Sequence, residues 1–191
     1  DLQPAGVQRE LWMCIYDNDY QPFGVSAYLD DVDKANPENR PWAQPFENEP
    51  NSRWNCTADG PTVFGLEEPS GQVHTLVYNP SVGRDFYSTY AYNLDPTRTS
   101  EPICDDLMMR FFVQQDAPGG FVGVALEKDG VHYISRVKFG NVLILERQQN
   151  GDSMELAQMP IKPQAEHEPV YFEFANVDHR LVFRFGDSRL S

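Results

Sequence analysis

The chain contains no complete catalytic or metal-binding motif. It has no Gly-x-Ser-x-Gly nucleophile elbow, and no cysteines or histidines stand at zinc-finger spacing. It also lacks an apolar run of about 18 residues, the minimum for a transmembrane helix, and the apolar segment of a signal peptide. We therefore expect no membrane insertion by this segment. We also expect the chain to be a piece of a longer protein that carries any anchor or export signal elsewhere.

Positive charge is scarce. The 191 residues include 15 Lys and Arg against 29 Asp and Glu, for a formal charge of −14. Nucleic acids and anionic lipids bind proteins through Lys and Arg that neutralise negative charge, so an acidic chain is a poor partner for both. The composition predicts no nucleic-acid partner, and the acidity is best explained by solubility.

Cysteine is also rare. Cys14, Cys56 and Cys104 lie far apart, without Cys-x-x-Cys spacing. The sequence is compatible with one disulfide and a free thiol, or with three free thiols, and it does not choose between them.

Alternating hydrophobic residues dominate the last third of the chain. From Phe121 to Gly186, short apolar-polar stretches alternate with Asp-Gly, Gly-Asn and Asn-Gly turns. This pattern is typical of antiparallel strands in a sandwich or barrel. We predict one all-β domain over residues 1–191, a two-sheet antiparallel sandwich with little helix. Further strands are expected at Leu11 to Tyr16, Val73 to Tyr78 and Asp106 to Gln114, and prolines make residues 30–70 irregular.

The final hairpin gives the sharpest prediction of orientation. Strands at 170–175 and 180–185 flank a turn predicted at 176–179. Because side chains alternate between the two faces of a strand, one set of residues is expected to point into the core. This set comprises Phe172, Phe174, Leu181, Phe183 and Phe185.

Aromatic side chains offer the best candidates for a ligand-stacking surface. Such a surface would bind the flat face of a sugar, although frequent aromatics in an all-β chain more often pack in the core or at its rim. The candidates are Trp42, Trp54, Tyr87, Tyr90 and Tyr92.

Carboxylates could serve as calcium ligands or as glycosidase residues, and the pattern supports neither role. The acidic run Asp30 to Asp33 departs from the EF-hand pattern, since Trp42 stands where the closing Glu is needed. A solvated turn explains it better. Glycoside hydrolysis needs two carboxylates facing one bond, whereas Glu166 and Glu168 precede a strand and Glu173 alternates outward. We predict no catalytic residue, metal or cofactor.

The arrangement of the last hundred residues resembles laminin-G or concanavalin A-like sandwiches. The hairpin at 170–187 is similar to one in the β-rich insertion domain of long bacterial signal peptidase I-like membrane proteins, and so are the opening at Arg9 to Tyr20 and the pair Tyr92-Asn93. Signal peptidases use a Ser-Met-x-Pro motif with a lysine base. Here Leu156 stands where the proline belongs after Ser153, so the resemblance carries no catalytic residue to this chain.

The resemblance implies an accessory role. We expect a non-catalytic extracytoplasmic module, tethered through a parent that is itself a signal peptidase I-like serine endopeptidase, with protein or cell-wall glycan as the partner. A carbohydrate-binding, lectin-like module is the alternative, and a sandwich glycoside hydrolase is the third. The sequence leaves the ligand, the oligomeric state, calcium binding and the architecture of the parent open.

Overall fold

The residues that the structure describes form ten antiparallel strands. The computed structural model describes residues 12–19, 44–56, 63–68, 70–82, 86, 103–139, 142–178 and 180–191, and these contain no helix. The strands are β1 Phe46–Asn48, β2 Leu76–Tyr78, β3 Leu107–Val113, β4 Phe121–Lys128, β5 Val131–Lys138, β6 Val142–Gln149, β7 Asp152–Pro160, β8 Val170–Val177, β9 Arg180–Phe185 and β10 Ser188–Leu190. The predicted all-β, antiparallel fold is confirmed.

The chain divides into two compact units, one over Gln3–Phe86 and the other over Tyr87–Ser191. Strands β1 and β2 belong to the first unit, and β3 to β10 belong to the second. The single domain expected over residues 1–191 stays a prediction.

The first unit has little regular structure in its described part. Its sheet consists of β1 and β2, which pair antiparallel with Phe46 opposite Tyr78. Aromatic rings surround this pair: Tyr16 lies 5.7 Å from Phe46, and Phe64 lies 5.6 Å from Phe46. Both contacts are edge-to-face, the geometry that aromatic quadrupoles favour.

The strand predicted at Leu11 to Tyr16 is wrong, because residues 12–16 form no strand. Tyr16 instead uses its side chain, which donates a hydrogen bond to Asn18 and packs its ring on the small sheet. The strand predicted from Val73 is shorter than expected and begins at Leu76. The sequence did not reveal β1, which lies between Pro45 and Pro50.

The second unit is a sandwich of two four-stranded sheets. Their strand orders are β10-β9-β8-β3 and β4-β5-β6-β7, with every neighbouring pair antiparallel. Both sheets contribute to one buried core. Its members are Phe172, Phe174, Phe183 and Phe185 from the first sheet and Val124, Leu126, Val137, Leu143 and Leu145 from the second. The predicted inward orientation of the final hairpin is confirmed, with Leu181 packed against the same core.

A β-bulge interrupts the pairing of β6 with β7. Leu145 pairs with Ala157 whereas Glu146 pairs with Glu155, which leaves Leu156 as the extra residue. Bulges redirect a side chain and increase local twist. This bulge brings Leu156 to the wall of the cavity described below.

No helix within the described residues has the length and apolar character of a membrane span.

Candidate functional site

A cavity of about 360 Å³ opens in the second unit beside the β4–β5 and β8–β9 turns. Small-molecule sites commonly measure roughly 300–1,000 Å³, so this volume is at the lower end of that range. Its lining residues are Lys128, Asp129, Val131, Tyr133, Leu156, Asn176 and Leu181. We call it the end cavity.

Tight turns position most of this lining. Asp129 and Gly130 both have positive φ, 54° and 71°, as a two-residue type I′ hairpin turn requires. The turn places Lys128 directly opposite Val131. Strand alternation then puts Tyr133 on the same face as Val131.

Asn176 is the most unusual residue of the site. Its side chain is 3 % exposed, between its register partners Leu107 and Leu181. Its Nδ2 has no hydrogen-bond partner within the described residues. A buried polar group without a partner costs about 1–3 kcal/mol, so such groups in native proteins need an explanation. A ligand in the end cavity that accepts a hydrogen bond would supply one.

Asn176 was predicted to lie in a turn, and this prediction is wrong. Strand β8 continues through Val177, and Asp178 has the positive φ of the turn, 46°. The residue therefore keeps the inward parity of Phe172 and Phe174. The inward positions of β8 alternate as Phe172 and Phe174, and the next inward position in this pattern is Asn176. Extending the predicted strand by two residues would therefore have placed Asn176 on the inner face.

Lys128 supplies a positive charge at the rim. Its Nζ donates to Asp106 Oδ1 at 2.7 Å, and Asp106 Oδ2 accepts a hydrogen bond from the backbone N–H of Asp178 at 3.3 Å. The hydrogen bond to Asp106 raises the pKa of Lys128 above its ordinary value. The side chain therefore stays an ammonium ion at neutral pH, with N–H donors beyond the one given to Asp106.

Arg147 is a second, half-buried cation on the inner face of this sheet, outside the lining of the end cavity. It pairs in register with Tyr133, and its guanidinium donates to the side chain of Gln149. Its Nε is buried and has no partner in the part of the chain that the structure describes. The inner face near this turn is thus rich in N–H donors, whereas the walls at Val131, Leu156 and Leu181 are apolar.

Donors above apolar walls suit a ligand that carries acceptor oxygens. The cavity contains no serine, cysteine or histidine to act as a nucleophile or general base. Among the described residues, no three His, Cys, Asp or Glu side chains are grouped to hold a metal ion. The lining of the end cavity therefore offers hydrogen-bond donors and apolar surface.

Of the five predicted stacking residues, only Trp54 lies within the described residues. It is half-buried in the first unit, where Nε1 donates to the carbonyl of His74 at 3.0 Å and its backbone N–H donates to Asn48 Oδ1 at 2.9 Å. Its indole N–H is therefore engaged in holding the fold. The other candidates, Trp42, Tyr87, Tyr90 and Tyr92, lie outside the described residues, and the stacking surface stays a prediction.

The acidic candidates are placed as follows. Glu166 and Glu168 are exposed before β8 begins. On β8, Glu173 Oε2 accepts a hydrogen bond from the Tyr171 hydroxyl at 2.7 Å, and Oε1 lies 3.6 Å from Arg184 Nε. The run from Asp30 to Asp33 lies outside the described residues.

The cysteines and Ser153 are the remaining predicted positions. All three cysteines have free thiols, with Cys14 exposed and Cys56 buried. Ser153 is exposed near the start of β7, where the sequence placed it.

The first unit holds a polar cluster that the sequence did not reveal. His74 is 8 % exposed, with Nε2 3.5 Å from Glu68 Oε2. Arg53 approaches the same oxygen at 3.4 Å. Hydrogen bonds from Ser70 lower the pKa of Glu68, and Arg53 adds to the effect. A wide polar depression at Asn51 to Arg53 and Gln72 lies in this unit too, but most of its lining is exposed.

Comparison of the chain with protein-family models, with curated proteins and with solved structures found no match.

Proposed function

We propose that this chain is a non-catalytic recognition module whose end cavity binds a ligand with acceptor oxygens. The observation that carries the proposal is the buried Nδ2 of Asn176, which lacks a partner among the described residues in a cavity that Lys128 also lines. A site preformed with unpaired donors discriminates strongly for ligands that satisfy them. The apolar walls would contact the carbon skeleton of the same ligand.

The module is proposed to act as an accessory part of a larger protein. We propose that it acts outside the cytoplasmic membrane, as part of a signal peptidase I-like membrane protein, in contact with protein or cell-wall glycan. The support is the sequence of the final hairpin, with its alternating Phe172, Phe174, Phe183 and Phe185. A signal peptidase I-like parent would supply the proteolysis, and this module would hold or recognise what lies beside it.

A lectin-like role is the second candidate, and the end cavity favours it. Sugar hydroxyl and ring oxygens accept hydrogen bonds from amide and ammonium donors, and the ring of Tyr133 offers an apolar surface beside them. A cell-wall sugar therefore fits the cavity better than an extended polypeptide does. Under this proposal the glycan is bound and released unchanged.

Asn176→Leu tests the proposal directly. Binding of peptidoglycan fragments and of a neutral glycan array would be compared for wild type, Asn176→Leu and the matched surface variant Lys162→Ala. We expect Asn176→Leu to weaken binding by about tenfold or more, the effect of one lost hydrogen bond in a desolvated site. Its thermal stability should be equal to or above that of wild type, because an unpaired buried donor has been removed.

Three results would contradict this proposal. If wild type binds no glycan, the lectin-like form is wrong. If Trp54→Ala abolishes binding while Asn176→Leu does not, the site lies in the first unit. Recovery of cleaved glycan or cleaved signal peptide, lost in a single variant such as Ser153→Ala, would replace the non-catalytic role with an enzymatic one.

A further inference from the structure

The outer face of the first sheet of the sandwich carries a line of charged side chains. Arg110 on β3 pairs in register with Glu173 on β8, which pairs with Arg184 on β9, which pairs with Arg189 on β10. Alternation sends these four side chains away from the face that buries Phe174. We call them the arginine row. It crosses all four strands and carries three positive charges against one negative charge.

The single carboxylate of the row does not neutralise it. Glu173 accepts a hydrogen bond from Tyr171 and lies 3.6 Å from Arg184. Arg110 and Arg189 are exposed and have no hydrogen bond or ion pair with any residue that the structure describes. Among the described residues, nothing therefore occupies the donors of these two guanidinium groups.

The arrangement of the row is unfavourable in the free protein. Arg184 and Arg189 are directly opposite each other on neighbouring strands, and like charges in this position destabilise a sheet. The cluster also stands out because the whole chain has a charge of −14. An anion lying along the row would remove the repulsion and would fit its sign.

Two aromatic side chains lie next to the row. Phe112 is 70 % exposed, and its ring is 5.6 Å from that of Tyr171 in an edge-to-face contact. Phe112 and Tyr171 are register partners, two positions along their strands from Arg110 and Glu173. The face thus combines guanidinium groups with an exposed apolar ring.

We propose that this outer face binds an acidic polysaccharide, with sugar carboxylates on the arginine row and a sugar ring against Phe112. The guanidinium fork matches the planar carboxylate, and the two form paired hydrogen bonds. Neighbouring strands lie about 4.8 Å apart, so the row is a straight array suited to a linear polymer. Arginine and aromatic residues are also enriched at protein interfaces, so the test below includes an acidic polypeptide as a competing partner.

Binding to polygalacturonate tests this inference, with dextran as the neutral polymer. The double variant Arg110→Ala/Arg189→Ala should bind at least about tenfold more weakly, because charge-assisted hydrogen bonds are lost. The matched control Lys138→Ala/Lys162→Ala removes the same charge elsewhere and should change the affinity less than about twofold. Arg110→Lys/Arg189→Lys keeps the positive charge but loses the guanidinium fork, so its affinity for polygalacturonate should lie between those of the two alanine double variants. Phe112→Ala should weaken binding without changing its salt dependence.

Every other outcome counts against the inference. Equal loss in both double variants would show attraction by net charge alone, and absence of polygalacturonate binding at low salt would overturn the site. Tighter binding of poly-L-glutamate than of polygalacturonate would make the partner an acidic polypeptide. Thermal melting of each variant establishes that it is folded. Asn176→Leu should bind polygalacturonate as wild type does, so failure here and failure of the end cavity are distinguishable.

Discussion

The two units of this chain are stabilised in different ways. In the second unit, four phenylalanines at most 1 % exposed pack between two sheets. In the first unit, the described strands have three residues each and the aromatic rings around them are half-buried. Side-chain hydrogen bonds compensate there, such as those that join Asn48 to Trp54 and Ser52 to Thr75.

This difference predicts where stability resides, and both proposed sites lie in the more stable unit. Regions with few buried apolar contacts open more easily than packed cores do. The end cavity and the arginine row both belong to the second unit, on opposite faces of strands whose other positions form the core. Rigid strands hold binding groups more accurately than loops do. The contrast can be tested with substitutions in each unit.

The largest expected effect is in the core of the sandwich. Phe174 is fully buried, and its ring lies 6.3 Å from that of Phe183. Phe174→Ala should lower the free energy of unfolding by about 3–5 kcal/mol, since it removes a buried aromatic and leaves a cavity. Denaturant unfolding followed by circular dichroism measures this loss.

Two further variants, one in each unit, show whether loss of a ring costs more stability in the second unit than in the first. Phe112→Ala alters an exposed ring of the same sheet and should change stability by less than about 0.5 kcal/mol. Phe46→Ala removes the half-buried ring at the centre of the first unit's aromatic cluster and should cost less than Phe174→Ala. If Phe46→Ala proves the more damaging of the two, the first unit holds the main core and the contrast is wrong.

A pair of glycines gives the next largest effect. A Cβ on Gly123 would lie 2.6 Å from the carbonyl oxygen of Ser135 and 3.0 Å from Cγ of Arg136. The absence of a side chain at Gly123 lets Arg136 pack closely, 5.5 Å above the ring of Phe121 and paired with Glu146 at 2.9 Å. Gly123→Ala should therefore destabilise the sandwich by about 1–3 kcal/mol through overpacking.

Gly65 in the first unit is the matched control. A Cβ added to Gly65 would meet no atom of the described residues within 4 Å, and the φ of Gly65 is not positive. Gly65→Ala should be neutral or stabilising by about 0.4–1 kcal/mol, because alanine restricts the unfolded chain. Equal destabilisation by the two alanines would show that the first unit is as tightly packed as the sandwich.

Sequence alternation predicted the second unit well and the first unit poorly, for a physical reason. A period of two becomes visible over six to nine residues, as in β4 to β9, and the hairpin from Val170 to Phe185 combines it with aromatic residues. A strand of three residues such as β1 shows no period. At Trp12 to Tyr16 an apolar run forms no strand, and Tyr16 packs its ring against Phe46.

The proposed binding sites were less predictable than the strands. The sequence drew attention to aromatics such as Trp54, whose indole N–H is bonded to the backbone. Asn176 became visible as a site only when the structure placed its amide inside the sandwich, without a partner among the described residues. The arginine row depends on the register of four strands, which the alternation of a single strand does not specify.

The smallest expected effect is a pH dependence in the first unit. The pKa of Glu68 is lowered from its ordinary value of 4.5, chiefly by hydrogen bonds from Ser70. A carboxyl whose pKa is lower in the folded state stabilises the fold above its unfolded pKa, and this contribution is lost as the pH falls through the folded pKa. Wild type should therefore lose stability in the first unit below pH 4.5. Glu68→Gln should not show the part of this acid destabilisation that comes from Glu68. Glu67→Gln, at the exposed neighbouring residue, should lose stability below pH 4.5 as wild type does.

The fluorescence emission of Trp54, measured in a background with Trp12 and Trp42 replaced by Phe, reports on the first unit, because its indole is bonded to His74. The same acid midpoint for wild type and Glu68→Gln would show that the cluster contributes nothing to the fold.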